Sequence, residues 1–279
     1  METFDNSMIQ DFLKCPRSFQ LRHIEELVPQ DNTASCKAEF GSCIHDALEA
    51  WYNGNSPEEM DSIFATRWLP FDGLDNTGIR TMEKGLVVCK VYRETYPKEY
   101  FSIIDLEIGG CIDLGNFGFI FRCDGLIRND RGEFLIFEHK TSAHRGFLTV
   151  NPNSQLTGYM VGVSEIKGLD INKAILNQIY FRKGRKGAPS EDAISLVREE
   201  AHRTPFDFEE WRSDISHIVG FIRLCEKSGY FPKNTPSCTA YGGCPYREIC
   251  STPSVEVQSS IKENLFKKQK WEPYDGAKI

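Results

Sequence analysis

Apolar residues in the first hundred positions recur at helical spacing. Ile9, Phe12, Leu13, Phe19 and Leu21 predict a helix over 5–25, with Ser7 able to cap it. Ile44, Leu48 and Trp51 form one stripe of a second helix from Phe40 to Tyr52. Residues 53–78 are rich in Gly, Asn, Asp and Pro and predict a loop or lid, interrupted by a short helix near Glu58–Arg67. A helix from about Thr81 to Tyr96 follows. From Ser102 to Lys140 the pattern turns to β, in Ile103–Ile108, Phe117–Asp124 and Glu133–Lys140. Asn151-Pro152 reads as an N-cap with proline at the first helical position, opening a helix to about Val163. Lys173–Phe181 and Ile194–Glu199 predict strands, and Phe208–Glu226 an amphipathic helix. The order predicts an α/β fold, a mixed central sheet flanked by helices with helical additions at both ends. Four regions follow: 1–100 helical, 101–200 the core, 201–251 a helix with a cysteine segment, and 252–279 a polar tail packed over the surface or partly mobile.

The middle of the β region carries chemistry. If Phe117–Asp124 and Glu133–Lys140 form a hairpin, Asp130-Arg131-Gly132 places a glycine where a three-residue loop needs a left-handed residue. That register sets Asn129 opposite Glu133 and Asp124 opposite Glu138, while Lys140 shares the face of Glu138. Two carboxylates and a lysine thus meet inside apolar strands. Opposed buried carboxylates are costly, and a hard divalent cation such as Mg²⁺ or Mn²⁺ relieves the cost. A structural lysine–carboxylate bridge at a sheet edge is the plainer alternative.

Ten cysteines are many for a chain of 279 residues with no secretory leader in view. Cys36, Cys43, Cys89, Cys111, Cys123 and Cys225 are scattered and read as core. Cys238, Cys244 and Cys250 recur at gaps of five residues in a Gly/Pro/Tyr-rich segment that metal ligation would order. Cys15, before Pro16, is the candidate fourth ligand. Four thiolates suit zinc or an iron–sulfur cluster, and the absence of C-x2-C pairs favours the cluster.

Charge adds little. With 33 Lys+Arg against 40 Asp+Glu the net is −7, so phosphate contacts must be local. Arg182, Lys183, Arg185 and Lys186 sit in a glycine-bearing loop after a strand and could neutralise backbone phosphates, with Tyr180 and Phe181 as stacking candidates. No apolar run is long enough to cross a membrane, and a cytoplasmic location is expected.

Asp124-Gly-Leu-Ile with Glu138-His-Lys140 resembles the core of the PD-(D/E)xK nuclease superfamily, particularly its RecB-like exonuclease branch. Gly41-Ser-Cys-Ile-His45 is similar to that branch's G-x-x-x-H motif, and Gln155-Leu-Thr-Gly-Tyr159 to its Q-x-x-x-Y motif. Cys15 with Cys238, Cys244 and Cys250 matches its split pattern for a [4Fe–4S] cluster. CRISPR-associated RecB-like exonucleases, their viral relatives and AddB-type nuclease domains share this layout. The resemblance implies a restriction-endonuclease-like fold and metal-dependent hydrolysis of DNA, at single-stranded or free ends. It places the metal on His45, Asp124, Glu138 and the backbone carbonyl of His139. It gives Lys140 the attacking water and scissile phosphate, and Gln155 and Tyr159 a positioning role; Glu107 matches an acidic position without a settled role. Without a G-x-x-x-x-G-K-[ST] motif, ATPase work falls to a partner such as a helicase, integrase or recombinase, in recombination, repair or CRISPR adaptation. The competing readings are a DNA-end-binding adaptor with a weak site, and a zinc-stabilised interaction protein.

Overall fold

The computed structural model describes residues 1–30, 36–143, 149–185, 187–240 and 243–272. In chain order these form β1 (Thr3–Asp5), α1 (Asn6–Lys14), α2 (Pro16–Phe19, continued by a wide turn Gln20–Ile24), β2 (Leu27–Pro29), α3 (Cys36–Tyr52), α4 (Pro57–Trp68) and α5 (Met82–Thr95). Then come β3 (Phe101–Asp113), β4 (Gly118–Asn129), β5 (Phe134–Ser142), α6 (Ser154–Lys167), β6 (Lys173–Phe181), β7 (Ile194–His202) and α7 (Pro205–Ser228). The chain closes with α8 (Arg247–Ser251), α9 (Val255–Leu265) and β8 (Phe266–Lys268). Two compact units result, one from residues 36–110 and 122–204, the other from 1–30, 111–121 and 205–272.

The first unit is an α/β layer structure. β4 pairs antiparallel with β5, β5 parallel with β6 and β6 antiparallel with β7, while β3 pairs with β4. Leu135–His139 of β5 and every residue of β6 after Lys173 are buried, the mark of central strands covered on both faces. Phe40, Ile44 and Leu48 of α3 pack with Phe64 and Trp68 of α4, Val88 and Tyr92 of α5, and Ile179 and Phe181 of β6. α6 supplies the crossover that the parallel β5–β6 pair requires.

In the second unit β1 lies parallel to the start of β4, Phe4 meets Phe117 edge-on at 5.8 Å, and Phe119 meets Trp211 of α7 at 5.0 Å. Leu21, Leu27, Tyr246, Ile249 and Phe266 form a further small core.

Several expected boundaries move. The helix over 5–25 breaks at Cys15, whose backbone is extended (φ −167°, ψ 110°) because the residue before a proline is pushed out of the helical region. Asp5, not Ser7, caps α1, accepting from Met8 N at 2.8 Å. Asn153, not Asn151, caps α6, accepting from Leu156 N at 3.0 Å, while the Asn151 side chain is taken by Arg203. The tail is ordered through β8, which pairs antiparallel with β2, and Phe266 stacks on Tyr246 at 5.4 Å. Of the six cysteines expected in the core, Cys36, Cys43, Cys89 and Cys123 are buried, but Cys111 is exposed and Cys225 half-buried. Tyr180 and Phe181 are buried and unavailable for stacking on bases.

Candidate active site

The hairpin register has the expected form. Backbone pairing runs from Arg128–Phe134 to Gly125–Phe137, and Gly132 turns the loop with φ +80°. Past Gly125 the carboxylates of the two strands take over from the ladder. The His139 N–H donates to Asp124 Oδ2 at 2.6 Å, and the Asp124 N–H donates to Glu138 Oε2 at 3.4 Å. Lys140 Nζ donates to the other Glu138 oxygen at 2.7 Å. Asp124, Glu138 and Lys140 are therefore brought together.

His45 arrives from α3. Gly41, one turn before it, lies so close to β5 that a Cβ there would sit 2.9 Å from Thr141 Oγ1. The missing side chain lets α3 approach the strand, and His45 Nδ1 comes within 3.1 Å of Asp124 Oδ1. Glu49, four residues on and on the same helix face, extends this acidic side. Glu107 joins it, and with φ +51° inside β3 it carries a strained backbone that re-aims its side chain. Glu107 pairs with Arg122 at 3.4 Å, and burial together with the Asp124 charge raises its carboxyl to about 7. Glu107 thus lies within electrostatic reach of Asp124 and His45. The i, i+4 spacing of His45 and Glu49 was the available signal for Glu49.

Protonation follows from burial and charge. Burial works against the Asp124 carboxylate, but His45 and Lys140 hold its carboxyl well below the usual range. Glu138, only 2% exposed, moves the other way, raised by burial and by Asp124. Burial disfavours charge on Lys140, yet Glu138 and Asp124 outweigh it and the ammonium is retained. His45 is likewise raised, because Asp124 outweighs the cost of burial. Tyr159 is raised far up by burial and by Glu138 and Asp124, so it stays a phenol. Its hydroxyl accepts from Gln155 Nε2 at 2.7 Å, which joins the Q-x-x-x-Y pair to each other.

The His139 ring turns into a buried network that the sequence did not disclose. Asn177 Nδ2 donates to His139 Nδ1 at 2.7 Å and to the Tyr92 hydroxyl at 2.9 Å. Tyr92 meets Tyr52 at 2.6 Å, and Tyr52 donates to Glu99 at 2.6 Å. Arg198 closes the set with two 2.7 Å bonds to Glu99. Burial lowers the His139 imidazole to about 3, so the ring is neutral and its Nδ1 can accept. The hydrogen bond of His139 to Asp124 is made by its backbone N–H.

A sequence model of the PD-(D/E)XK nuclease superfamily matches residues 6–251. The chain belongs to this superfamily. Among solved structures, a candidate exonuclease from Eubacterium rectale is similar over 84% of this chain and 85% of its own, with 12% identity and a TM-score of 0.51. The structure named SSO0001 is similar over 90% of this chain and 86% of its own, with 16% identity and a TM-score of 0.40. No curated protein matches significantly. The mixed sheet flanked by helices fits the restriction-endonuclease-like fold of the superfamily.

PD-(D/E)XK nucleases generally use a divalent metal such as Mg²⁺. Among the described residues no three His, Cys, Asp or Glu side chains stand ready-made around one metal position. The donor set nevertheless fits such an ion. The half-buried Asp124 and the buried Glu138 bring two like-charged carboxylates together, with His45 and Lys140 as cationic neighbours. Both cations touch the oxygens that would hold the ion.

The cysteines lie in the second unit. Cys15 accepts from Asn234 N at 3.4 Å, and the Cys250 thiol, raised by burial, also feels Cys244 and Cys15. Cys244 N–H donates to the Cys238 carbonyl at 3.0 Å, next to Gly243 at φ +99°. All four cysteines therefore belong to one locality. Of the basic loop, Arg182, Lys183 and Arg185 are exposed, and Lys186 lies outside the described residues. No helix among the described residues is long and apolar enough to cross a membrane.

Proposed function

We propose that the protein is a metal-dependent DNA nuclease of the RecB-like branch, an exonuclease acting on single-stranded ends. One observation carries this reading: Asp124 and Glu138 replace the backbone ladder where β4 and β5 cease to pair, with Lys140 bonded to Glu138. Asp124, Glu138, His45 and the His139 backbone would hold Mg²⁺ or Mn²⁺. Such an ion polarises a phosphoryl oxygen and lowers the pKa of bound water. Lys140, kept charged by its carboxylate neighbours, orients the attacking water by donating to it and offsets charge building on the scissile phosphate. Tyr159, kept a phenol and tied to Gln155, positions the strand by donating to it, or Lys140 by accepting from its ammonium. Arg182, Lys183 and Arg185 contact the strand backbone.

Cys15, Cys238, Cys244 and Cys250 would bind a [4Fe–4S] cluster with a structural role. Iron and sulfide content and visible absorbance of anaerobically purified protein test this, and stoichiometric zinc instead of iron overturns it. The nuclease reading is tested with 5′- and 3′-labelled single strands in Mn²⁺ and in chelator. Metal-dependent shortening from an end is expected; intact strands, or internal cuts alone, contradict it.

A further inference from the structure

Beyond β6 the chain leaves the sheet as Arg182-Lys183-Gly184-Arg185 and returns through Pro189–Ala193 into β7. The two limbs enclose an open pocket of about 300 Å³, lined by Arg182, Arg185, Ala188, Pro189, Asp192 and Ala193. Its frame is tied at the base. Arg182 N–H donates to the Ala193 carbonyl at 3.0 Å, and its guanidinium to the Asp192 carbonyl at 3.3 Å. Ala188 N–H closes a turn on the Arg185 carbonyl at 3.1 Å. Phe181, immediately before, is anchored against Phe40 with ring centroids 5.0 Å apart. Neither arginine forms a side-chain ion pair among the described residues, and both line the concave surface.

We infer that this pocket is a subsite for one backbone phosphate of the strand being cut, at a fixed distance from the scissile bond. The inference rests on the nuclease reading and adds a ruler to it. Lys140 stands in register with Gln178 on β6, and Arg182 lies four residues further along that strand's direction. At about 3.3 Å per residue the separation is about 13 Å. A stacked strand advances about 3.4 Å per nucleotide, so about four nucleotides span it, and fewer if the strand is stretched. Guanidinium forks match phosphate oxygens in geometry and charge. Asp192 on the wall cancels part of the positive charge, so a free phosphate ion gains little there. A phosphate delivered by a strand already held at the Lys140 ammonium arrives at high effective concentration and fills the site.

The subsite predicts a threshold in substrate length. Fluorescent oligothymidylates of two to twelve nucleotides, titrated in chelator and read by anisotropy, should gain affinity by about tenfold or more as length passes about five, the increment of a charge-assisted phosphate contact. The double variant Arg182→Ser with Arg185→Ser should lose that step, and its slope of log Kd against log salt should fall by about 0.7 per phosphate lost. Lys183→Ser, outside the pocket lining, should lower the slope but leave the step in place. The inference is overturned if the arginine variant keeps the step, if Lys183→Ser abolishes it, or if affinity climbs evenly with length. Because binding is read without metal, a step in a protein that never cleaves DNA would uphold the subsite while removing the nuclease reading.

Discussion

Glu138 sits between an anionic and a cationic neighbour, and its chemistry depends on which prevails. Burial and Asp124 raise its carboxyl from 4.5, and Glu107 follows to about 7 for the same reasons. In the metal-free protein both groups bind protons more tightly folded than unfolded. Their contribution to stability therefore falls as pH rises from about 4.5 toward 7. A divalent cation needs the deprotonated form, so Mn²⁺ affinity should rise with pH up to about 7 and level off above it. Calorimetry in buffers of different ionisation enthalpy should show proton release below that pH; affinity unchanged between pH 5.5 and 8 contradicts the assignment. Lys140→Met removes a donor aimed at developing charge and should slow cleavage about 10²–10³-fold with folding intact. Circular dichroism and initial rates check both halves of that expectation.

At the scale of elements, the site depends on how closely α3 approaches β5. Gly41→Ala drives a methyl group against Thr141 Oγ1 and should cost about 1–3 kcal/mol while weakening metal binding through His45. Thr141→Ala should recover part of the loss, and a double-mutant cycle in urea measures it; strict additivity would mean that the contact does not matter. On the opposite side, Arg198→Met strips the half-buried Glu99 of its cation while the Tyr52 bond remains, which should cost about 1–3 kcal/mol in the same assay. The Asp124–Glu138–Lys140 face was legible in the sequence because strand alternation and loop length set a hairpin register. The network around His139 was not, because Tyr52, Tyr92, Glu99, Asn177 and Arg198 come from segments up to 146 positions apart and follow no local period. The cap of α6 was misplaced because Asn151 and Asn153 have the same cap chemistry, and only Arg203 distinguishes them.

For the whole molecule, the first and last described segments, 1–30 and 205–272, belong to one unit. Cys15 and Cys250 are 235 positions apart, so shared ligation would remove a large loop entropy, on the order of a few kcal/mol. Cys244→Ala should then lower the melting temperature and abolish visible absorbance, whereas Lys140→Ala should leave the absorbance unchanged. Residues 252–272 take the packed form of the two the sequence allowed, through two aromatic anchors: Phe266 on Tyr246, and Trp271 donating to Asp5 at 2.6 Å. The acidic total was no guide to the substrate, since Glu107, Asp124 and Glu138 spend their charge at the site itself.

The central claim is that Asp124, Glu138 and Lys140 cut DNA with a bound divalent ion, and a single comparison tests it most directly. End-labelled single-stranded DNA is incubated with Mn²⁺ and either the wild-type protein or Glu138→Gln. Metal-dependent shortening by the wild type and its loss in the variant is the predicted result. Equal degradation by the two proteins would place the chemistry elsewhere.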